Sequence, residues 1–103
     1  MSICKAVTRG VLSDPVEIRI ENEALNFETA RLIADQKARE IASDPMLLGW
    51  YDSGTGRYSP NVECCSADKP GWIVYAETRG GDITIDINDE QYVFIYLDLG
   101  RLA

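Results

Sequence analysis

One segment of this chain, residues 27–43, has the period of an amphipathic α-helix, and it constrains the fold more than any other feature. Advancing 100° per residue places seven side chains on one half of the helix: Phe27, Ala30, Ile33, Ala34, Ala38, Ile41 and Ala42. Asn26 is the expected N-cap, and Pro45 ends the helix because the residue before a proline avoids helical geometry. So many alanines predict that the helix lies close against a sheet.

Charged residues recur one turn apart on the outer side of this helix. Arg31 precedes Asp35 by four residues, and Asp35 precedes Arg39 by four. Opposite charges at this spacing stabilise a helix by about 0.2–0.5 kcal/mol per pair. Lys37 falls inside the apolar arc, and we expect its stem to pack and its ammonium group to reach the edge. The alternative is a buried catalytic lysine, which nothing else in the sequence supports.

The other apolar segments predict short strands, and therefore an α+β fold with one helix on a mostly antiparallel sheet. Residues 16–20 alternate between apolar and charged side chains, as a half-buried strand does. Residues 46–52 are apolar on both faces, which is typical of an internal strand. Residues 3–12 form a less regular strand, and Pro60 makes residues 57–65 an edge strand or an irregular loop.

The C-terminal third predicts a meander of three strands, at residues 72–78, 82–88 and 92–97. Gly80 and Gly81 suit a two-residue hairpin turn, because both central residues of a type I′ turn need positive φ. A three-residue loop at residues 89–91 then directs the aliphatic side chains of the last strand towards the helix. A two-residue loop would exchange the two faces of that strand.

The preferred register leaves aromatic side chains on the face that one helix cannot cover: Tyr75, Tyr92, Phe94 and Tyr96. An exposed aromatic patch rimmed by charge is typical of an interaction surface. The sequence therefore predicts a non-enzymatic interaction module that forms a homodimer through this face. The alternative is that the N-terminal strands or the loop at residues 57–71 fold over the patch.

A second hypothesis is a protein, or an enzyme, that binds a small polar ligand of unknown identity. Aromatic, acidic and basic side chains gather around one predicted loop system: Trp50, Asp52, Arg57, Tyr58 and Glu63. Together they could line a pocket. The run Asp52-Ser53-Gly54-Thr55 resembles the Asp-Ser/Thr-Gly signature of aspartic proteases, but a long helix precedes it and such a run is first of all a turn.

Composition narrows the functional classes further. The 103 residues carry a formal charge of -7, which opposes binding to nucleic acid or to anionic membranes. There is no histidine, so Ser-His and Cys-His nucleophile schemes are excluded. Glu77, Asp82 and Asp86 share the polar face of the predicted sheet, but Arg79 lies opposite Asp82. We therefore predict neither a metal site nor a cofactor.

The three cysteines, Cys4, Cys64 and Cys65, match no disulfide framework and are expected to be free thiols in a reducing compartment. No apolar run of about 18 residues and no secretion signal are evident, so we expect a cytoplasmic protein. The chain is long enough for one core, and residues 1–103 are predicted to form a single domain.

Three blocks of sequence resemble those of a small prokaryotic family of single-domain proteins of unknown function: residues 44–52, residues 59–65 and residues 79–82. The resemblance covers nearly the whole chain. It implies a compact α+β fold and a cytoplasmic setting, and it brings no catalytic residues with it.

Overall fold

The computed structural model describes residues 15–21, 24–59 and 71–102, which form a five-stranded sheet with a helix on each face. The strands are β1 (Val16–Ile18), β2 (Pro45–Asp52), β3 (Arg57–Ser59), β4 (Ile83–Ile87) and β5 (Tyr92–Asp98). The helices are α1 (Phe27–Ile41) and α2 (Gly71–Thr78), and a short 3-10 helix (Leu99–Leu102) follows β5.

The strand order is β1-β4-β5-β2-β3, and within the described residues the β1–β4 pairing alone is parallel. The α+β class and the mostly antiparallel sheet are therefore confirmed. No helix in these parts of the chain has the length and apolar character needed to cross a membrane. The strand predicted at residues 3–12 and the three cysteines lie outside the described residues.

Helix α1 forms as its sequence predicts. The side chain of Asn26 accepts a 2.9 Å hydrogen bond from the backbone N–H of Thr29, which caps the first turn. The three alanines of the inner stripe, Ala30, Ala34 and Ala38, are each 0% exposed against the sheet. The helix ends at Ile41 rather than Ser43, because Ala42 is already extended on the way into β2.

The outer strands also follow the sequence pattern. Val16, Ile18 and Ile20 are partly buried against the core beneath α1, as their alternation predicts. β2 lies between β5 and β3, so its apolar character on both faces marks an internal strand. β3 is the edge strand at the other end of the described sheet.

The prediction of a strand at residues 72–78 is wrong, because this segment forms helix α2. Its β-branched and aromatic residues favour strands locally, but Trp72, Ile73 and Ala76 recur at helical spacing and pack on β5. Gly80, at φ 90°, closes the helix: its N–H donates to Glu77 and the N–H of Gly81 donates to the Ala76 carbonyl. This bond pattern is a Schellman motif, so the glycine pair caps a helix instead of turning a hairpin.

The predicted register of the β4–β5 hairpin is also wrong. Ile87 pairs directly with Tyr92, so the connecting loop has four residues, 88–91, rather than three. Asn88, Asp89 and Glu90 all have positive φ, and the Asn88 side chain holds the turn by bonding the backbone of Ile20. Changing the loop by one residue exchanges the two faces of β5. The aromatic side chains of β5 therefore face α1, and Val93 and Ile95 face α2.

Candidate functional site

A polar cavity of about 200 Å³ lies where α1 crosses β5 and the start of β2. Its lining combines charged, aromatic and aliphatic side chains: Arg31, Asp35, Arg39, Pro45, Leu47 and Tyr96. The first three come from α1, the next two from β2 and the last from β5. Because Leu47 pairs with Tyr96 across the β2–β5 ladder, the sheet side of the cavity is continuous.

The geometry of α1 brings its three charged residues to this cavity. Each directly follows one of the buried alanines, so the charged stripe is turned about 100° from the stripe that packs on the sheet. That angle places Arg31, Asp35 and Arg39 at the rim of the interface between helix and sheet, where they line the cavity. The Lys37 Nζ lies 3.7 Å from the carboxylate of the exposed Glu40, so its ammonium group reaches the edge of the helix as predicted.

Tyr96 links the sheet to this charged stripe. Its residue is 2% exposed, and its hydroxyl donates a 2.5 Å hydrogen bond to Oδ1 of Asp35. Burial raises the pKa of the Tyr96 hydroxyl far above its ordinary value, and the hydrogen bond and charge of Asp35 raise it further. The positive charges of Arg31 and Arg39 act in the opposite direction and lower the pKa of this hydroxyl. Tyr96 therefore stays neutral and keeps its donor engaged with Asp35.

The charges in the cavity do not balance. The Arg31 Nε lies 3.9 Å from Oδ2 of Asp35, at the outer limit of an ion pair, with half of the arginine side chain exposed. Within the described residues, Arg39 lies within 4.0 Å of no carboxylate. Two cations thus line the cavity with one carboxylate, although the formal charge of the protein is -7. Guanidinium groups with spare donors are suited to hold a carboxylate or another oxyanion.

Of the five ligand residues predicted from the sequence, the four that the structure describes are divided between the two faces of the sheet. Asp52 pairs with Arg57 across β2 and β3, and Trp50 lies two residues along β2 on the same face. Trp50 contributes to the core, with its ring 4.5 Å from that of Phe27. Tyr58 lies on the opposite face, towards α2. Glu63 lies outside the described residues.

The residues predicted as a dimer interface are mostly internal. Tyr92, Phe94 and Tyr96 are at most 7% exposed and pack beneath α1, so the prediction that they form an exposed face is wrong. Tyr75 is on α2, half-buried, with the Arg79 guanidinium 3.6 Å from its ring centre. The physical reason is the length of the β4–β5 loop: with four residues instead of three, the aromatic side chains of β5 face α1.

The acidic residues weighed as a magnesium site are separated in the structure. Glu77 lies on α2, Asp82 follows that helix, and Asp86 is buried within β4. The predicted strand pairing that would have aligned them does not exist. In the residues that the structure describes, no group of three or more Cys, Asp or Glu side chains is placed to hold a metal ion.

The fold and the cavity define a small α+β protein with a five-stranded mixed sheet, a helix on each face and a cationic pocket beside α1. Residues 13–96 match the family described as "Domain of unknown function (DUF5619)". The chain belongs to this family, which confirms the resemblance to a small family of uncharacterised proteins.

Two similarities to proteins from Archaeoglobus fulgidus support the assignment. An "Uncharacterized protein" from this organism is 35% identical over 86 residues, which are 81% of this chain and 87% of the relative. The crystal structure of protein AF1514 from the same organism has a TM-score of 0.69 and 32% sequence identity. That match covers 82% of this chain and 93% of the solved chain.

Proposed function

We propose that this protein binds a small anionic molecule in the cavity beside α1. The observation that carries the proposal is the pair of guanidinium groups, from Arg31 and Arg39, that line one cavity with a single carboxylate between them. The cavity volume of about 200 Å³ is below the range of about 300–1,000 Å³ that is usual for drug-sized ligands. A metabolite-sized anion is therefore the class of ligand that fits.

The expected affinity is modest. A hydrogen bond to a charged group contributes about 1.5–3 kcal/mol, so two arginine contacts give dissociation constants from several millimolar to about tens of micromolar. The net charge of -7 repels anions at long range, so attraction arises only from these nearby arginines. Binding should accordingly be measured at millimolar ligand concentrations and low ionic strength.

Calorimetric titration with phosphate, acetate, glutarate and citrate, on the wild type and on two matched arginine variants, tests the proposal. Arg39→Gln removes the cavity guanidinium that forms no ion pair within 4.0 Å among the described residues, and we expect it to weaken binding at least tenfold. Arg57→Gln removes an exposed arginine on β3, outside the cavity, and should leave binding unchanged. If none of the four anions binds the wild type, the proposal is wrong. Loss of binding in Arg57→Gln alone would move the site to the Trp50 to Glu63 region.

A second candidate function is self-association, as a homodimer, through an apolar strip at the end of the sheet. Met46 and Leu99 are 41% and 36% exposed, and Met46 pairs with the half-buried Leu97 on the face away from α1. We expect Leu99→Glu to be monomeric by light scattering where the wild type is dimeric. Leu32→Glu, on the outer side of α1, is the control and should remain dimeric. A monomeric wild type would contradict this candidate.

A cytoplasmic location is also proposed. Three cysteines without a disulfide framework are typical of a reducing compartment. The protein is purified from its natural source without reductant, denatured and titrated for thiols, with an alkylated sample as the control. We expect three free thiols per chain. A disulfide formed in the cell would contradict the proposal.

A further inference from the structure

We infer that the ligand is a short dicarboxylate with a hydrogen-bond donor at its centre, such as a hydroxyl or an ammonium group. This inference rests on the proposed anion-binding function and names the class of anion. It comes from the order of groups along the cavity, which is cation, acceptor, cation.

The two cations lie at opposite ends of the charged stripe. Arg31 and Arg39 are eight residues apart, and their Cα positions are therefore about 12 Å apart along the helix axis. Asp35 lies halfway between them, and its carboxylate would repel a compact anion placed at the centre. A ligand with one anionic group at each end meets both arginines and avoids that repulsion.

Among the described residues that line the cavity, Tyr96 and Asp35 lie at its centre, and both present hydrogen-bond acceptors to a ligand. The Tyr96 hydroxyl already donates its hydrogen bond to Asp35, so towards a ligand its oxygen can only accept. The Asp35 carboxylate can only accept as well. A ligand group that donates a hydrogen bond is complementary to this pair, whereas a bare oxyanion is not.

The remaining lining and the volume fit a short aliphatic chain. Pro45 and Leu47 provide apolar surface between the charged ends. The cavity volume of about 200 Å³ is below the range of about 300–1,000 Å³ that is usual for drug-sized ligands, which favours a short chain. A chain of four to six carbon atoms, bearing two carboxylates and one central donor, satisfies each of these features.

A matched ligand series tests the inference: butyrate, glutarate, 3-hydroxyglutarate and phosphate. By calorimetry on the wild type, we expect glutarate to bind about tenfold more tightly than butyrate, since it adds one charge-assisted contact. We expect 3-hydroxyglutarate to bind several-fold more tightly than glutarate, and phosphate to bind more weakly than either.

The variant Asp35→Asn separates this reading from a merely structural role of the residue. It removes the central negative charge, so phosphate should bind more tightly than it does to the wild type, while the preference for 3-hydroxyglutarate over glutarate should shrink. An unchanged circular dichroism spectrum checks folding. Arg57→Gln should show the wild-type order of ligands.

The outcomes distinguish this inference from the broader proposal. If butyrate matches glutarate, if glutarate matches 3-hydroxyglutarate, or if phosphate binds most tightly to the wild type, the inference is wrong and anion binding stands. If no ligand of the series binds, both are wrong. If an Asp35→Asn variant that does not fold prevents that comparison, the order of the four ligands on the wild type still decides the question.

Discussion

Replacing Tyr96 with phenylalanine removes the hydrogen bond that joins β5 to α1 across the cavity. The ring keeps its place in the core, so no large cavity is created and the change isolates one hydroxyl. A hydrogen bond to a charged group contributes about 1.5–3 kcal/mol. The Asp35 side chain is 26% exposed and can regain water, so we expect the loss in unfolding free energy to be about 1–2 kcal/mol.

Urea unfolding followed by tryptophan fluorescence measures this change. Trp50 packs against the core between the sheet and α1, and Trp72 lies in the core between the sheet and α2, so the signal reports on both. The urea dependence of the unfolding free energy should be unaltered, since the surface exposed on unfolding is the same. Tyr58→Phe is the control, because it removes the hydroxyl of a half-buried tyrosine outside the cavity. A loss below about 0.5 kcal/mol in Tyr96→Phe, or an equal loss in the control, would refute the argument, since ordinary surface changes fall in that range.

The same variant should respond differently to alkaline pH. Burial and Asp35 raise the pKa of Tyr96, so the native state holds this proton more tightly than the unfolded chain, where tyrosine titrates near pH 10. The resulting stability is fully present below about pH 10 and is lost above it, by up to about 1.4 kcal/mol per pH unit. The difference between wild type and Tyr96→Phe should therefore shrink from about pH 9 to about pH 11. A difference that grows with pH would contradict the sign of this shift.

Three further substitutions, each measured by urea unfolding, test the packing that positions the site. Gly81→Ala would place its Cβ 2.8 Å from the Ala76 carbonyl oxygen, so we expect the unfolding free energy to fall by about 1–3 kcal/mol. A fall below about 0.5 kcal/mol would mean that α2 can move away from the new methyl group. Asn88→Ala removes the side-chain bonds to the backbone of Ile20 and a residue tolerant of positive φ, at a cost of about 2 kcal/mol. An unchanged midpoint would show that this turn does not hold β1. Ala34→Leu overfills a site that is 0% exposed and should cost about 1–3 kcal/mol, whereas a neutral effect would exclude close contact between α1 and the sheet.

Helix α1 and the internal position of β2 could be predicted because their signals are local and strong. A capping asparagine, a regular apolar stripe and a proline beyond the C-terminus define one helix with few alternatives. For β2, apolar side chains on both faces indicate that both faces of the strand are covered, as they are for a strand inside the sheet. Neither inference depends on how distant parts of the chain meet.

Helix α2 and the β4–β5 register could not be predicted because each depends on a choice that local sequence leaves open. Residues 72–78 have strand-forming side chains, but β5 already has a strand on each side, and these residues instead pack on the sheet face as a helix that buries Trp72 and Ile73. The hairpin loop is one residue longer than predicted, and a shift of one residue decides which face of β5 meets α1.

The candidate site was hidden for the same reason. The spacing of Arg31, Asp35 and Arg39 was evident, but it indicated only helix-stabilising pairs. Its relation to a ligand cavity depends on Tyr96 facing α1, which the predicted register reversed. A charged stripe that directly follows a buried alanine stripe is the signal that could have identified the rim of a helix–sheet interface.

The central claim is that an anion binds between Arg31 and Arg39. It is tested most directly by recording the arginine Nε–H resonances of the protein by NMR during a titration with glutarate. We predict that the signals of these two residues shift and saturate together, with one dissociation constant, while those of Arg57 and Arg79 stay in place. If the Arg31 and Arg39 signals do not move, or if all arginine signals shift alike without saturation, the cavity is not an anion site.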